Sequence, residues 1–421
     1  MTKAINLADK IENKLPPELV AFIHKAGEIA ANRGEQLYIV GGVVRDLLLG
    51  HTNLDLDLVV EGDAIELARH LAEIKQGKIT THTRFNTAKI QWNKWSVDLA
   101  TARSETYDRP GALPKVKPSS ITNDLFRRDF TINAMATHLD PKRYGELLDP
   151  YGGKDDLDSK LIRILHEKSF IDDATRIWRG LRYKQRLDFQ LEETTMKLLK
   201  RDIPMLDTIS ADRIRYEVEC ILQEKYPEKV FRRAGELRVL PKLHPALRGD
   251  GWLAEKSEEA RRTYHPDAPP IGIYLAILAY RLKENENEDL ISNLRLPKAL
   301  AQTLRDTASL KGKLSSLTNP NLSPSRIFYL LSEYSSTAIM ANSIAWESPI
   351  ARQHIQLFLN KLRYVKPILT GEDLKKMGVA NGRNIGALLR QIHEAKLDGQ
   401  IATRRDEEEF VIRWLNAKKA G

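Results

Sequence analysis

Four apolar residues, Leu37-Tyr38-Ile39-Val40, run directly into Gly41-Gly42, and this junction limits what the chain can fold into more than any other feature. The run reads as a short strand, and the glycines let backbone N–H groups turn toward an anion with no Cβ in the way. Val43 to Leu49 then has helical character, and Leu54 to Val60 resumes as a strand that becomes wholly apolar. Its period of two puts Asp55 and Asp57 on one face. A phosphate-holding loop, Gly41-Gly42-Val43-Val44-Arg45-Asp46, is thereby joined to two carboxylates, and the combination predicts nucleotidyl transfer. That chemistry develops charge on the attacking hydroxyl, the α-phosphate and the leaving pyrophosphate, and two metal ions about 3.5–4 Å apart stabilise all three. Mg²⁺ takes one or two carboxylates plus substrate phosphates, so no His or Cys cage is needed. The plainer alternative is a strand that simply ends in solvated carboxylates; the glycine loop upstream weighs against it.

Strand signals continue. Residues 17 to 33 and Ala64 to Ile74 have helical spacing, whereas Lys78 to Thr83, Thr87 to Trp92 and Ser96 to Ala100 are rich in β-branched and aromatic residues, so the first part of the chain is α+β with a small mixed sheet. Asp98, in the last of these strands, is a candidate third carboxylate, with a structural role as the alternative. From Thr101 to Phe126 the pattern breaks, with Arg109-Pro110-Gly111, Pro114 and Pro118, and predicts a long loop of the kind that forms lids or binding segments. Arg127-Arg128-Asp129-Phe130-Thr131-Ile132-Asn133-Ala134 follows, cationic at its start and apolar at its end, as suits a segment buried beside a phosphate site.

Beyond residue 165 the periodicity is helical almost throughout. Asp172-Asp173-Ala174-Thr175-Arg176 is expected to open a helix running through Trp178, Arg179 and Arg182 to about Leu187. Acids in a first turn suit the helix dipole, and as i, i+3 neighbours Asp173 and Arg176 also offer acceptors and donors to a base edge. Ser210 to Glu217 starts another helix, with further helical stretches near 271–283, 288–310 and 325–343, and the charge run Glu284 to Asp289 reads as a solvated turn. Near the end, Leu369-Thr370-Gly371, Gly378, Gly382 and Ile385-Gly386 punctuate helices, either to present N–H groups to nucleic-acid phosphates or to let helices pack tightly. Arg383 and Arg390 lie among them.

Sixty-six Lys and Arg against 57 Asp and Glu leave a net charge of +9, which favours a polyanionic partner, with nucleic acid the leading candidate. The single cysteine, Cys220, excludes an intrachain disulfide framework, and the histidines have no metal-ligand spacing. Without a signal-peptide pattern or a membrane-length apolar run, the expectation is a cytoplasmic protein. A kinase or hydrolase of the P-loop type is disfavoured because no Gly-x-x-x-x-Gly-Lys-Ser/Thr motif occurs.

Taken in order, the Gly41–Asp46 loop, Asp55-Leu56-Asp57, Arg127–Ala134, Asp172–Arg176 and the glycine-punctuated tail resemble the class II tRNA nucleotidyltransferase and bacterial poly(A) polymerase family, part of the DNA polymerase beta-like superfamily. The resemblance runs nearly end to end. It implies a seahorse-like α+β molecule: a catalytic head over 1–165, a helical neck with the base-reading motif over 166–225, a helical body over 226–345 and a tRNA-binding tail over 346–421. It further implies that Asp55 and Asp57 hold two Mg²⁺ ions. Gly41, Gly42, Arg45 and Asp46 would support the triphosphate, and Arg128 and Asp129 would contact phosphate and ribose, with Asn133 and Arg179 in the same nucleotide-binding set. Asp173 and Arg176 would read the Watson–Crick edge of C or A, and Thr101 to Phe126 would be the flexible loop that switches between them. Gly371, Gly382, Arg383, Gly386 and Arg390 would meet tRNA. The family usually has Glu where this chain has Asp172. The leading expectation is addition of C, C and A to tRNA 3′ ends from CTP and ATP. The alternatives are addition of A only, poly(A) synthesis or a silent RNA-binding homologue; the long loop argues against addition of CC alone.

Overall fold

The computed structural model describes residues 5–380 and 382–420, and its internal contacts divide into two compact units that meet between Val218 and Glu219. The first begins with α1 (Ala8–Lys14), α2 (Pro17–Asn32), β1 (Gln36–Val40), α3 (Gly42–Leu48), β2 (Leu56–Glu61), α4 (Ala64–Lys75), β3 (Lys78–His82), β4 (Thr87–Trp92) and β5 (Trp95–Thr101). There follow β6 (Arg103–Thr106), β7 (Lys115–Pro118), α5 (Ile121–Phe126), β8 (Ala136–His138), β9 (Leu147–Leu148), α6 (Gly153–Asp158) and β10 (Leu161–Ile162). Last come α7 (Ser169–Asp172), α8 (Thr175–Leu187), β11 (Gln190–Leu191), α9 (Glu193–Asp202) and α10 (Ala211–Leu222), which runs into the second unit.

Seven strands form one mixed sheet in the order β3-β4-β5-β2-β1-β8-β9, with β2 and β5 parallel and the other pairs antiparallel. Alternation along the central strands gives the sheet two apolar faces. Leu37 and Ile39, Leu56 and Leu58, and Val97 and Leu99 share a core with Leu19, Phe22 and Ile23 of α2 and Leu67 and Leu71 of α4. Phe22 stacks on Trp92 at 4.6 Å between centroids. A Cβ at Gly27 would lie 2.1 Å from the Leu139 carbonyl oxygen, so α2 approaches the sheet at a distance only glycine permits. Tyr38, Val40 and Val59 face the other way, onto Ile121 and Leu125 of α5. Asp57 and Asp98 share this second face by parity, since each lies two residues before an apolar member, Val59 and Ala100, of the α5-covered cluster.

The α+β head is therefore as expected, but the segment from Thr101 to Phe126 is not the predicted loop. β6 and β7 pair as an antiparallel hairpin, α5 follows, and only 107–114 is irregular. The hairpin gives no hydrophobic alternation because the positions it turns inward are charged: Arg103 and Glu105, two residues apart, bond each other at 3.0 and 3.2 Å.

In the second unit α10 is followed by α11 (Pro227–Glu236), α12 (Gly251–Tyr264), α13 (Ile271–Ala279), α14 (Glu284–Asn293), α15 (Lys298–Lys311), α16 (Pro324–Leu331), α17 (Ser336–Ala345), α18 (Pro349–Asn360), α19 (Gly371–Lys376), α20 (Arg383–Leu397) and α21 (Arg404–Ala420). Two expectations change here. The stretch near 288–310 is two helices, parted where Arg295 takes a φ of 46° shortly before Pro297, and 325–343 is parted near Ser335, whose side chain caps α17. The run from Glu284 to Asp289 begins α14 rather than forming a turn, although Glu284, Glu288 and Asp289 are exposed as expected: the Lys283 N–H donates to Glu286 at 2.9 Å, and acids there suit the helix dipole. No helix among the described residues is long and apolar enough to cross a membrane.

Candidate active site

Gly41 ends β1 with φ 75°, and its N–H donates to the Met135 carbonyl at 3.1 Å. A Cβ here would come within 2.8 Å of Arg128 Nη1, the movable end of a long side chain, so it is the positive φ that demands glycine. The Arg128 guanidinium thus lies against the glycine turn. Its Nη2 donates to Asp124 Oδ2 at 3.1 Å, while its buried Nε has no hydrogen-bond partner within the protein. Asp124 is completely buried and its other oxygen accepts from Arg127 Nε and Nη2 at 2.9 and 2.7 Å. Burial alone would raise its pKa, but the Arg128 and Arg127 charges outweigh it and hold the carboxyl below its ordinary value. Removing it strands the Arg128 guanidinium and leaves Arg127 with Glu105 alone, at 3.1 Å. Asp124→Ala is expected to cost about 3–5 kcal/mol, a midpoint lowered by roughly 10 °C in thermal denaturation. An unchanged midpoint would mean that both arginines find other partners.

The carboxylates gather at the start of β2 and the facing part of β5. Asp57 pairs in register with Asp98, and Asp98 with Lys89 of β4. Burial pushes Asp57 up to about 6; the Arg128 and Lys89 charges oppose this, while those of Asp55 and Asp98 add to it. Asp98 is engaged by Lys89 Nζ at 2.9 Å. Asp55 lies just ahead of the strand, where its N–H donates to Asn53 Oδ1 at 2.9 Å, and Asn53 Nδ2 donates to Asp46 at 2.7 Å. Among the described residues no three Asp, Glu, His or Cys side chains are placed to cage an ion by themselves. A cluster of like charges with a partly buried member nevertheless suits a hard dication completed by substrate oxygens, which is how Mg²⁺ is bound at phosphoryl sites.

Arg45 and Asp46 turn toward each other. Arg45 is 3% exposed, donating to Asp46 at 2.8 and 3.0 Å and to Asn133 Oδ1 at 2.6 Å. Asn133 passes the link to Asp129 at 3.0 Å, and Asp129 Oδ2 accepts from Arg179 Nε and Nη2 at 2.8 and 2.6 Å. Although burial opposes it, the Arg179 charge, with hydrogen bonds from Asn133 and Arg179, keeps Asp129 down at about 2. Arg179 and Arg182 then reach Glu217 at 3.6 and 3.4 Å, and the Tyr183 ring lies 5.3 Å from the Arg45 guanidinium and 5.7 Å from that of Arg179. A buried polar chain thus fixes α3 to α8, in which every member that the sequence placed in the nucleotide site holds another.

At the entrance to α8 the expected helix start shifts. Asp172 ends the short α7, and Asp173 is extended, with α8 beginning only at Thr175. The reason is local: Asp173 Oδ1 accepts from the Thr175 N–H and hydroxyl at 3.0 and 2.6 Å and so breaks the helix it caps. Arg213 Nη2 also meets this oxygen at 2.7 Å, and Arg213 Nη1 reaches the Gly111 carbonyl at 3.4 Å. Arg176 is buried, donating to Ser169 Oγ and to the Arg127 carbonyl, each at 2.6 Å. Asp172 is pushed up by burial and meets Arg176 only through charge, so Ser169 and Arg127 set the orientation that a longer acid would otherwise share.

In the tail, Gly371 begins α19 behind a Thr370–Asp373 capping box, and Gly382, with φ 102°, begins α20. Thr370, Gly371, Glu372, Lys375, Gly382, Ile385 and Gly386 line a concavity of about 540 Å³. A Cβ at Gly382 or Gly386 would meet nothing within 4 Å, so tight packing does not account for these glycines. Arg383 is exposed, and Arg390 lies over the Tyr329 ring at 4.6 Å.

Sequence reasoning missed Asp124, Ser169, Glu217 and Arg213, which hold the named residues in place. Asp124 sits three and four residues before Arg127 and Arg128 on a helical face, a spacing that could have revealed it; Ser169, Glu217 and Arg213 carry no local signal.

A family model for the poly A polymerase head domain matches residues 37–163, and one for the probable RNA and SrmB-binding site of polymerase A matches 188–249. The A-adding tRNA nucleotidyltransferase of Halalkalibacterium halodurans is 31% identical over 98% of this chain and 97% of its own length. That of Aquifex aeolicus is 36% identical over 84% of this chain and 44% of its own length. Among solved structures, the Thermotoga maritima CCA-adding enzyme complexed with tRNA is 31% identical, covers 99% of this chain and 100% of that one, and superposes with a TM-score of 0.77.

Proposed function

Because the chain belongs to the class II tRNA nucleotidyltransferase and poly(A) polymerase family, and is a nucleotidyltransferase of tRNA 3′ ends, we propose that it adds the terminal A, from ATP, to tRNA ending in CC. The observation that carries the choice is the end-to-end match with an A-adding relative, joined by a second A-adding relative at higher identity. This departs from the first expectation, addition of C, C and A. Full CCA addition stays as the second reading because a CCA-adding structure covers the same length.

In this reading the Gly41-Gly42 turn and the Arg128 guanidinium lying against it hold the triphosphate. Asp55 and Asp57 would hold Mg²⁺, which when bound neutralises charge developing about the α-phosphorus. The tRNA 3′-hydroxyl attacks in line and pyrophosphate leaves, so the chain's own contribution is positioning and preorganised charge. Asp173 and Arg176, held by Arg213 and by Ser169 and Arg127, present fixed groups to the incoming base. The tail concavity, with two helix starts and exposed Arg383, suits the tRNA backbone.

The test is incorporation with purified protein on three RNAs: tRNA lacking CCA, tRNA ending in CC, and a non-tRNA strand, each with CTP, ATP or both. One A on the CC-ended tRNA and no C on the shorter one is the expected result. C incorporation would replace the reading with CCA addition, and long A tracts on the non-tRNA strand would replace it with poly(A) synthesis.

A further inference from the structure

Far along the chain from the head, within the second unit, Trp252, Tyr280, Arg281, Lys311, Trp346 and Glu347 line a concavity of about 500 Å³. Two features set it apart from ordinary helix packing. The first is charge: the Lys311 ammonium is half-buried, donates to the Tyr280 carbonyl at 2.8 Å and lies 4.9 Å from the centre of the Tyr280 ring, and burial lowers its pKa with no carboxylate among the described residues to offset the cost. Asp250 is taken by Arg281 at 2.8 and 3.0 Å, and Glu347 lies toward Lys256 at 3.8 Å, so neither carboxylate pairs with Lys311. The second is the concentration of flat rings. Trp252 stacks near Tyr280 with centroids 5.8 Å apart, Arg281 covers Trp252 at 4.7 Å, and the partly buried Trp346, which also packs against the apolar cluster of Leu310, Ile339 and Phe358, has no ring or cation partner among the described residues. A cation with no carboxylate partner beside a partly exposed indole suits a ligand carrying both an anion and a planar ring, and the volume lies in the range of small-ligand sites.

We propose that this concavity binds one unstacked nucleotide, its base on Trp346 and its phosphate at Lys311. The site is separate from the reaction in the head and independent of which nucleotide that reaction adds. Its nucleotide comes either from an RNA strand or from free solution, and these sources share the same chemistry.

The experiment uses the full chain labelled with 5-fluorotryptophan, the Trp346 signal being assigned by its loss in Trp346→Phe. Fluorine spectra are recorded with adenosine 5′-monophosphate, with adenosine, and with tRNA ending in CC. A shift of the Trp346 signal by the monophosphate, at least tenfold weaker with adenosine and in Lys311→Met, supports a free-nucleotide site. A shift by tRNA alone, again weakened tenfold in Lys311→Met, supports the same site with RNA as its source. A Trp346 signal unmoved by either, or moved equally in Lys311→Met, overturns the proposal. Should Lys311→Met not fold, Lys311→Gln takes its place, with nucleotide incorporation in the head as the check that the chain is intact.

Discussion

Asp57→Asn is expected to lower nucleotide incorporation by about 10³-fold or more, while tRNA affinity stays within about threefold and the fold is no less stable. The rate follows from losing a charge that would anchor Mg²⁺, whose stabilisation of developing phosphate charge is worth several kcal/mol, and each 1.36 kcal/mol is a factor of ten. The stability follows from the site itself. Asp57 is pushed from 3.8 up to about 6 by burial, with Asp55 and Asp98 adding to that shift. A carboxyl whose folded pKa is raised binds its proton more tightly in the native state, so its ionisation costs stability as pH rises from its ordinary value through 6. In chelator-treated protein at neutral pH, Asp57→Asn should therefore melt at or above the parent temperature. Asp55→Asn, at an exposed position ahead of the strand, should lose activity with little change in melting. Retained incorporation in both variants would sink the carboxylate assignment; activity lost together with a lower midpoint would make Asp57 structural.

What could be read from the sequence divides along a physical line. Leu37 to Val40, Asp55-Leu56-Asp57 and Ala64 to Ile74 were legible because burial on a sheet face or a helix stripe imposes periods of two and 3.6 on apolar residues. The β6–β7 hairpin was not, since its inward residues are Arg103 and Glu105, which bond each other, with Arg127 and Tyr107 completing Glu105. The same limit applies to the site. Glycines, paired aspartates and the Arg-Arg-Asp run announce themselves locally. The contacts between segments do not: Arg45 is held by Asn133, Asp129 by Arg179, and Arg176 by Ser169 and the Arg127 carbonyl, at separations of 88, 50, 7 and 49 residues, in that order. The break at Asp173 lies between these cases, because an aspartate can open a helix or interrupt one, and the Thr175 hydroxyl two residues on decides it.

Choice of base should depend on Arg176 far more than the rate of transfer does. Arg176→Ala is expected to reduce the preference for ATP over CTP by about 10²-fold, what the loss of one hydrogen bond to a charged group, about 3 kcal/mol at the upper end, amounts to. Because Arg176 is buried against Ser169 Oγ and the Arg127 carbonyl, the alanine variant also leaves two buried groups unpaired, and part of any loss could come from local collapse. Ser169→Ala separates the two effects. Ser169 is fully buried and donates nothing to substrate in this reading; it fixes one Nη of Arg176. Losing one hydrogen bond to a charged group, about 1.5 kcal/mol at the low end, should cut the ATP preference by roughly tenfold and leave the maximal rate with ATP within about threefold. Steady-state rates with each nucleotide on CC-ended tRNA measure both. Arg127 makes the comparison sharper. Its carbonyl steers Arg176, whereas its guanidinium is held by Asp124 and Glu105, so Arg127→Lys keeps the carbonyl but loosens its support. A fall in selectivity graded from Arg176→Ala through Ser169→Ala to Arg127→Lys is what a base reader positioned by its surroundings should give. Unchanged selectivity in Arg176→Ala would remove that role from Arg176 altogether.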